Sequence, residues 1–259
     1  MNIFPYGSKI PFMRVRHMVL WLALIVFLAS VALLATRGLN FALDFTGGTV
    51  VELKFENAAD LDLLRRELDA EGYKGATVQS FGSAHDVMVR LQPQEGQDNI
   101  TQTGDAILTT VTSADNPATL VRSDFVGPQV GKEMAQNGVL ALVFVALGFI
   151  IYISMRFEWK FSVAATLASV FDVTVTTGLF SLTQHEFSLT ALAGVMSVLG
   201  YSINDTIVVF DRVRENFRAL HKMDSAEVLN RSINETLSRT ILTSLSTLFA
   251  VGTLYLFGG

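Results

Sequence analysis

The chain has 259 residues, half of them apolar, and a positive mean hydropathy, which excludes an ordinary soluble domain; a long polar stretch excludes a purely membrane-buried one. Cysteine is absent, which excludes a disulfide framework, a thiolate metal site and a cysteine nucleophile. The net charge of -5 is unevenly spread, and that spread carries orientation.

Residues 1–17 carry Lys9, Arg14 and Arg16 and are predicted to face the cytoplasm. Residues 18–36 contain no charge and reach about 28 Å as a helix, the thickness of a bilayer core, so they form a first span. A cleaved signal peptide is the competing reading, but its apolar core runs about 7 to 15 residues and ends at an A-x-A site, and no such site follows here.

Residues 37–137 hold eight basic against fifteen acidic residues and belong outside. Within them TVVELKFE at 49–56 alternates in period two, as a half-buried strand does. Asp60 then caps a helix whose Leu61, Leu64 and Leu68 fall on one face, closed by Gly72. Residues 76–82 and 86–92 read as strands joined around Gly82 and Ser83, a weak helix covers about 99–113, and 119–126 is a further strand. The order βαββαβ predicts an α+β, ferredoxin-like external domain. Its histidine, His85, has no second ligand or nucleophile at a recognisable spacing, so no metal site and no catalytic residue is expected there. Binding is the expected work of the domain, with a passive spacer as the alternative.

Residues 138–259 form the rest of an α-helical polytopic bundle, with spans at about 138–155, 161–182, 187–210 and 240–257 and a cytoplasmic loop at 211–237. Arg156 and Lys160 after the second span, and Arg212, Arg214, Arg218, Lys222, Arg231 and Arg239 after the fourth, place those segments inside. The connection around Gln184–Glu186 has no Lys or Arg and belongs outside. Five spans therefore alternate consistently. The chain stops at Leu256, Phe257, Gly258 and Gly259 without a charged flank, as a sequence cut before further membrane segments would.

Asp172 stands about twelve residues beyond Lys160, roughly 18 Å into the bilayer. An ionised carboxylate at such depth costs a few kcal/mol at least (about 3), so it must be protonated, hydrated or paired. It shares a helix face with Ala165, Ser169 and Thr176. A proton relay and a structural carboxyl bonded to a neighbouring span both satisfy that demand. Asp205 follows Asn204 and precedes Asp211 by six residues, about 9 Å from the cytoplasmic end of its span. With Thr190, Gly194, Ser197 and Tyr201, these two residues make a polar stripe expected to face other helices. Arg239 opens a second stripe with Thr236, Thr240, Thr243, Ser244 and Thr247, near Asp205 in depth. It reads either as the cation that pairs with that carboxylate or as an interfacial anchor.

Three stretches resemble the SecD/SecF family of bacterial protein-export subunits, relatives of the resistance-nodulation-division transporters: LDFTGGT at 43–49, FVGPQVG at 125–131 and YSINDTIVVFDRVREN at 201–216. SRTILTSLST at 238–247 fits as well, and the likeness is to the SecF members. The resemblance implies an inner-membrane subunit that works with SecD beside the SecYEG channel, with YajC as a further candidate partner. It would use proton motive force to draw unfolded secretory polypeptide outward. No enzymatic activity and no cofactor are implied, protons being the coupling ion, and nucleic acid is not among the expected partners. Asp205 and Arg239 match the family's proton-pathway pair, while a further carboxylate would come from SecD. The family has six spans, so a sixth is expected to be missing here.

Asp44, Gly47 and Gly48 lie at one junction of the external domain and Gly127, Pro128 and Gly131 at the other, where they can act as hinges or simply as tight turns. Two other functions compete: efflux of small molecules or lipids by a half-size transporter of the same superfamily, and a non-transporting scaffold of the channel complex.

Overall fold

The computed structural model describes residues 10–73, 75–81, 83–91, 100–113 and 116–257. The expectations for Lys9, Gly82, Gly258 and Gly259, and for the outermost residues 92 and 99 of one strand and one helix, lie outside the described residues. The chain divides into two compact units, one of Met1–Gly38, Ala146–Gln184 and Gly194–Gly259, the other of Leu39–Val145 and His185–Ala193.

The second unit is built on an antiparallel sheet. Its elements follow as α2 (Leu43–Thr46), β1 (Gly48–Phe55), α3 (Leu61–Ala70), β2 (Thr77–Ser80), β3 (Asp86–Leu91), α4 (Ile100–Val111) and β4 (Ala118–Val126), after α1 (Arg16–Thr36) of the first unit. The strand order is β2-β3-β1-β4. Alternation sets the register: Val51 stands opposite Val89, Leu53 opposite Val87, and Val78 on the other side of Val89. Those side chains, with Leu64 and Leu68 of α3 and Ile107 of α4, form a dry core between sheet and helices. The Asp60 side chain accepts from the Asp62 and Leu63 amides and so starts α3, while Gly72 takes a φ of 95° after its end.

The first unit is helical. Five helices among the described residues are long and apolar enough to cross a membrane. They are α1 with the short turn before it, α5 (Pro128–Arg156), which begins in the other unit, α6 (Trp159–Thr183), α7 (Leu189–Ala219) and α8 (Ser225–Phe257). Helices α1 and α6 approach closely: a Cβ placed on Gly178 would lie 2.5 Å from the Ser30 Cβ, and the Ser181 hydroxyl donates to the Leu33 carbonyl at 3.0 Å. Without a hydrophobic drive between helices in lipid, such small-residue contacts hold spans together.

The helices overrun the expected spans. At 31 and 33 residues, α7 and α8 reach about 46 and 50 Å, well beyond an apolar layer about 30 Å thick. Most of 211–237, expected as a loop, is therefore helix. Hydropathy marks only the part of a helix that lipid solvates. The polar overruns hold each other instead: Arg212 pairs with Glu235 at 2.9 Å, and the Asn216 amide donates to Ser232 at 3.0 Å and to Glu235 at 2.9 Å. The same reasoning covers α5, whose first ten residues include Gln129, Lys132, Glu133, Gln136 and Asn137 and begin with Pro128 at the first helical position.

Candidate functional site

Asp172 sits in the middle of α6, half-buried, and its carboxylate accepts a hydrogen bond from the Ser202 hydroxyl of α7. One turn before it, the Ser169 hydroxyl donates to the Ala165 carbonyl at 2.9 Å, and Ala165 is buried. The small residues on this face thus let α6 present its carboxyl to a neighbour.

Asp205 is also half-buried. The Thr243 hydroxyl of α8 donates to it, 3.1 Å to Oδ1 and 3.4 Å to Oδ2. Ser202 and Asp205 are three residues apart on α7, so they share a face and differ in depth by about 4.5 Å. The result is a line of polar groups across three helices, Asp172 to Ser202, then Asp205 to Thr243, with α7 in the middle.

Within this chain the stripe along α7 is only partly covered: Thr190, Gly194, Ser197, Tyr201 and Asn204 are exposed, Tyr201 at 60%. Asn204 and Asp205 are neighbours in sequence and therefore about 100° apart around a helix, so only one of them can turn to α8. Arg239 does not hold the Asp205 carboxylate in this conformation. Its side chain is exposed, and among the described residues no ion pair joins the two. Arg239 stands one turn, about 6 Å, before Thr243 on the same face, and Thr243 occupies the carboxylate instead.

Around the turn between α5 and α6, Arg156 pairs with Asp211 of α7 at 3.1 Å and the rings of Phe157, Phe161 and Phe210 cluster, Phe161 and Phe210 at 5.1 Å. The Asn234 amide takes both the N–H and the C=O of Ile10 at 3.0 Å, which ties the N-terminal segment to α8.

The junction residues lie in the other unit. Gly47 (φ 66°) would, with a Cβ, meet the Pro128 Cα at 2.9 Å, and a Cβ on Gly131 would meet the Gly47 nitrogen at 2.7 Å. Gly48 pairs with Val126 at the end of the β1–β4 ladder, which brings the two junctions side by side, and Gly127 precedes Pro128 at the start of α5, where its carbonyl accepts from the Gly131 amide. Two backbones thus touch where any side chain would intervene. Asp44 of the same motif accepts from the Leu189 amide at 2.9 Å and so caps the start of α7.

Sequence reasoning missed Ser202, although it stands within the 201–216 stretch; one hydroxyl beside Tyr201 gave no sign that a carboxylate thirty residues earlier would choose it. It also missed the capping role of Asp44 and the pairing of Arg90 with Glu186, both contacts between distant parts of the chain. Among the described residues no three His, Cys, Asp or Glu side chains come together as a metal site would require.

Five helices long and apolar enough to cross a membrane, with carboxylates hydrogen-bonded between them and one small sheet domain beside them in the chain, are the marks of a polytopic membrane protein. A family described as "Protein export membrane protein SecD/SecF, C-terminal" matches residues 106–259, and the "SecD/SecF GG Motif" matches residues 32–59. The protein translocase subunit SecF of Pseudomonas aeruginosa is 46% identical over 97% of this chain and 81% of its own length. Those of Vibrio alginolyticus and Escherichia coli O157:H7 are 44% and 41% identical, over 80% and 79% of their lengths. A crystal structure of SecDF, a translocon-associated membrane protein from Thermus thermophilus, matches 99% of this chain with a TM-score of 0.86 at 35% identity. A second SecDF structure, in a super-membrane-facing form, matches the same share at 0.69 and 34%. The chain spans 35% of the length of each of those two SecDF chains. It belongs to the SecD/SecF family of protein-export membrane proteins, within its SecF branch.

Proposed function

We propose that this chain is a proton-driven subunit of the Sec export machinery, in which protonation of Asp205 shifts the helices around it and moves the external lobe. The observation that carries the reading is the polar line from Asp172 through Ser202 and Asp205 to Thr243, inside helices otherwise built for lipid. Burial disfavours the ionised form of a carboxyl, and a hydroxyl can serve either form, donating to the anion or accepting from the acid. Arg239, one turn away, takes over the carboxylate when Thr243 releases it and lets go when a proton arrives. One charge crossing 100 mV carries about 2.3 kcal/mol, enough to bias a two-state equilibrium roughly fifty-fold.

The βαββαβ order and the β2-β3-β1-β4 sheet support a ferredoxin-like lobe on the periplasmic side, with the N-terminus and the 211–237 segment cytoplasmic, in the inner membrane. The two SecDF structures match this chain at unequal TM-scores despite equal coverage, which supports relatives that adopt more than one arrangement. The junction glycines, packed as one clasp, act as a single pivot. SecD supplies a further carboxylate at the open face of α7, SecYEG is the channel, YajC a further neighbour, and unfolded secretory polypeptide the cargo. The subunit performs no enzymatic reaction of its own and takes no cofactor.

The test is Asp205→Asn in the assembled complex: gradient-dependent export is lost while assembly is kept. Unchanged export would leave a scaffold, and altered drug tolerance alone would point to efflux.

A further inference from the structure

The helix-free face of the sheet is not empty. Val87, Val89 and Leu91 of β3 turn to the core, so Arg90 projects from the opposite face. There its guanidinium forms an ion pair with Glu186 and donates to the Phe41 carbonyl at 2.8 Å. The Arg90 side chain is only 15% exposed, so the pair is partly shielded from water. Two backbone bonds extend the seam: Ala42 N–H to the Phe187 carbonyl at 3.0 Å and Phe187 N–H to the Asn40 carbonyl at 2.7 Å. Phe187 is buried, 6.1 Å from the Phe45 ring and 6.2 Å from Phe41. The next contact is Asp44 on the Leu189 amide.

All of these residues lie in the unit that holds the sheet, and the first five residues of α7 lie there too. Yet α7 runs unbroken to Ala219 and carries Ser202 and Asp205. We propose that Arg90, Glu186 and Asp44 are positioning residues that fix the first turn of α7 to the external lobe, so that the helix bearing Asp205 and the lobe move as one. This rests on the proton-driven reading for what the motion serves; the attachment itself does not. A helix is stiff along its axis, and about 24 Å separates Leu189 from Asp205 along it, so an anchored first turn gives the carboxylate a lever.

The experiment uses the full chain assembled with its partner subunits in lipid vesicles. Arg90→Glu, Glu186→Arg and the double reversal are compared by amide exchange at 187–193 and by export of a signal-bearing polypeptide under an imposed proton gradient. Each single reversal speeds exchange about tenfold and lowers export severalfold, and the double reversal restores both in part, since a glutamate at position 90 remakes the ion pair but cannot donate to the Phe41 carbonyl. Asp44→Ala speeds exchange at Leu189 and in the turn after it, whereas Asp44→Asn, which keeps an accepting oxygen, leaves those amides protected. Reversals that leave exchange unchanged overturn the attachment. Faster exchange with native export overturns the coupling, and a double reversal that rescues neither readout overturns the specific role of the pair. Failure of the proton-driven reading looks different: Asp205→Asn then exports at the native rate with 187–193 still protected, and the reversals still decide the seam.

Discussion

The Asp205 carboxylate of α7 accepts its hydrogen bond from Thr243 of α8 at 3.1 Å, and not from Arg239 one turn away. Thr243→Val removes the donor and keeps the shape. A hydrogen bond to a charged group is worth about 1.5 to 3 kcal/mol, so gradient-driven export is expected to fall at least tenfold with the complex still assembled. Initial export rates at a fixed imposed gradient read this out; a native rate contradicts it.

Ser202 gives Asp172 its partner and stands three residues from Asp205 on the same helix. If the two carboxylates act in one path, Asp172→Asn and Thr243→Val, one at each carboxylate, must not add. A double-mutant cycle on export is expected to return a coupling of about 1 kcal/mol, whereas independent sites would return a value near zero.

Much of this fold is legible in the sequence because its signals are local. The alternation at 49–56, the Asp60 cap and the leucines after it each report on residues within a turn or a strand pair, and the structure places β1 and α3 within a residue or two of the expectation. Asp172 and Asp205 stand out because lipid penalises them wherever their partners are. The partners are another matter. Ser202 for Asp172, Glu186 for Arg90 and Leu189 for Asp44 are set by how distant segments meet, and a hydroxyl or an amide in sequence gives no direction. Helix ends were lost for a further reason: beyond the lipid, α7 and α8 are held by Arg212, Asn216, Ser232 and Glu235, whose composition reads as a loop.

The paired junctions predict a contrast between two glycines four residues apart. A Cβ on Gly131 would sit 2.7 Å from the Gly47 nitrogen, while one on Gly127 meets nothing within 4 Å. Gly131→Ala is expected to destabilise the lobe by about 1 to 3 kcal/mol, as overpacking does, and Gly127→Ala by less than about 1. Denaturant midpoints followed by amide exchange in β1 and β4 compare the two; equal effects would deny the close approach.

Leu68 is fully buried between α3 and the sheet. Leu68→Ala is expected to cost the lobe about 2 to 5 kcal/mol, seen as faster cleavage of residues 48–126 by an added protease in the intact membrane protein. The membrane helices contribute no residue to this core among the described residues and should keep their protection.

Proton uptake by the complex reconstituted in vesicles tests the central claim most directly, with the native chain set beside Asp205→Asn and Arg239→Met. The account predicts export-linked uptake in the native complex and its loss in both variants. Uptake that persists at the native rate in Asp205→Asn would contradict it.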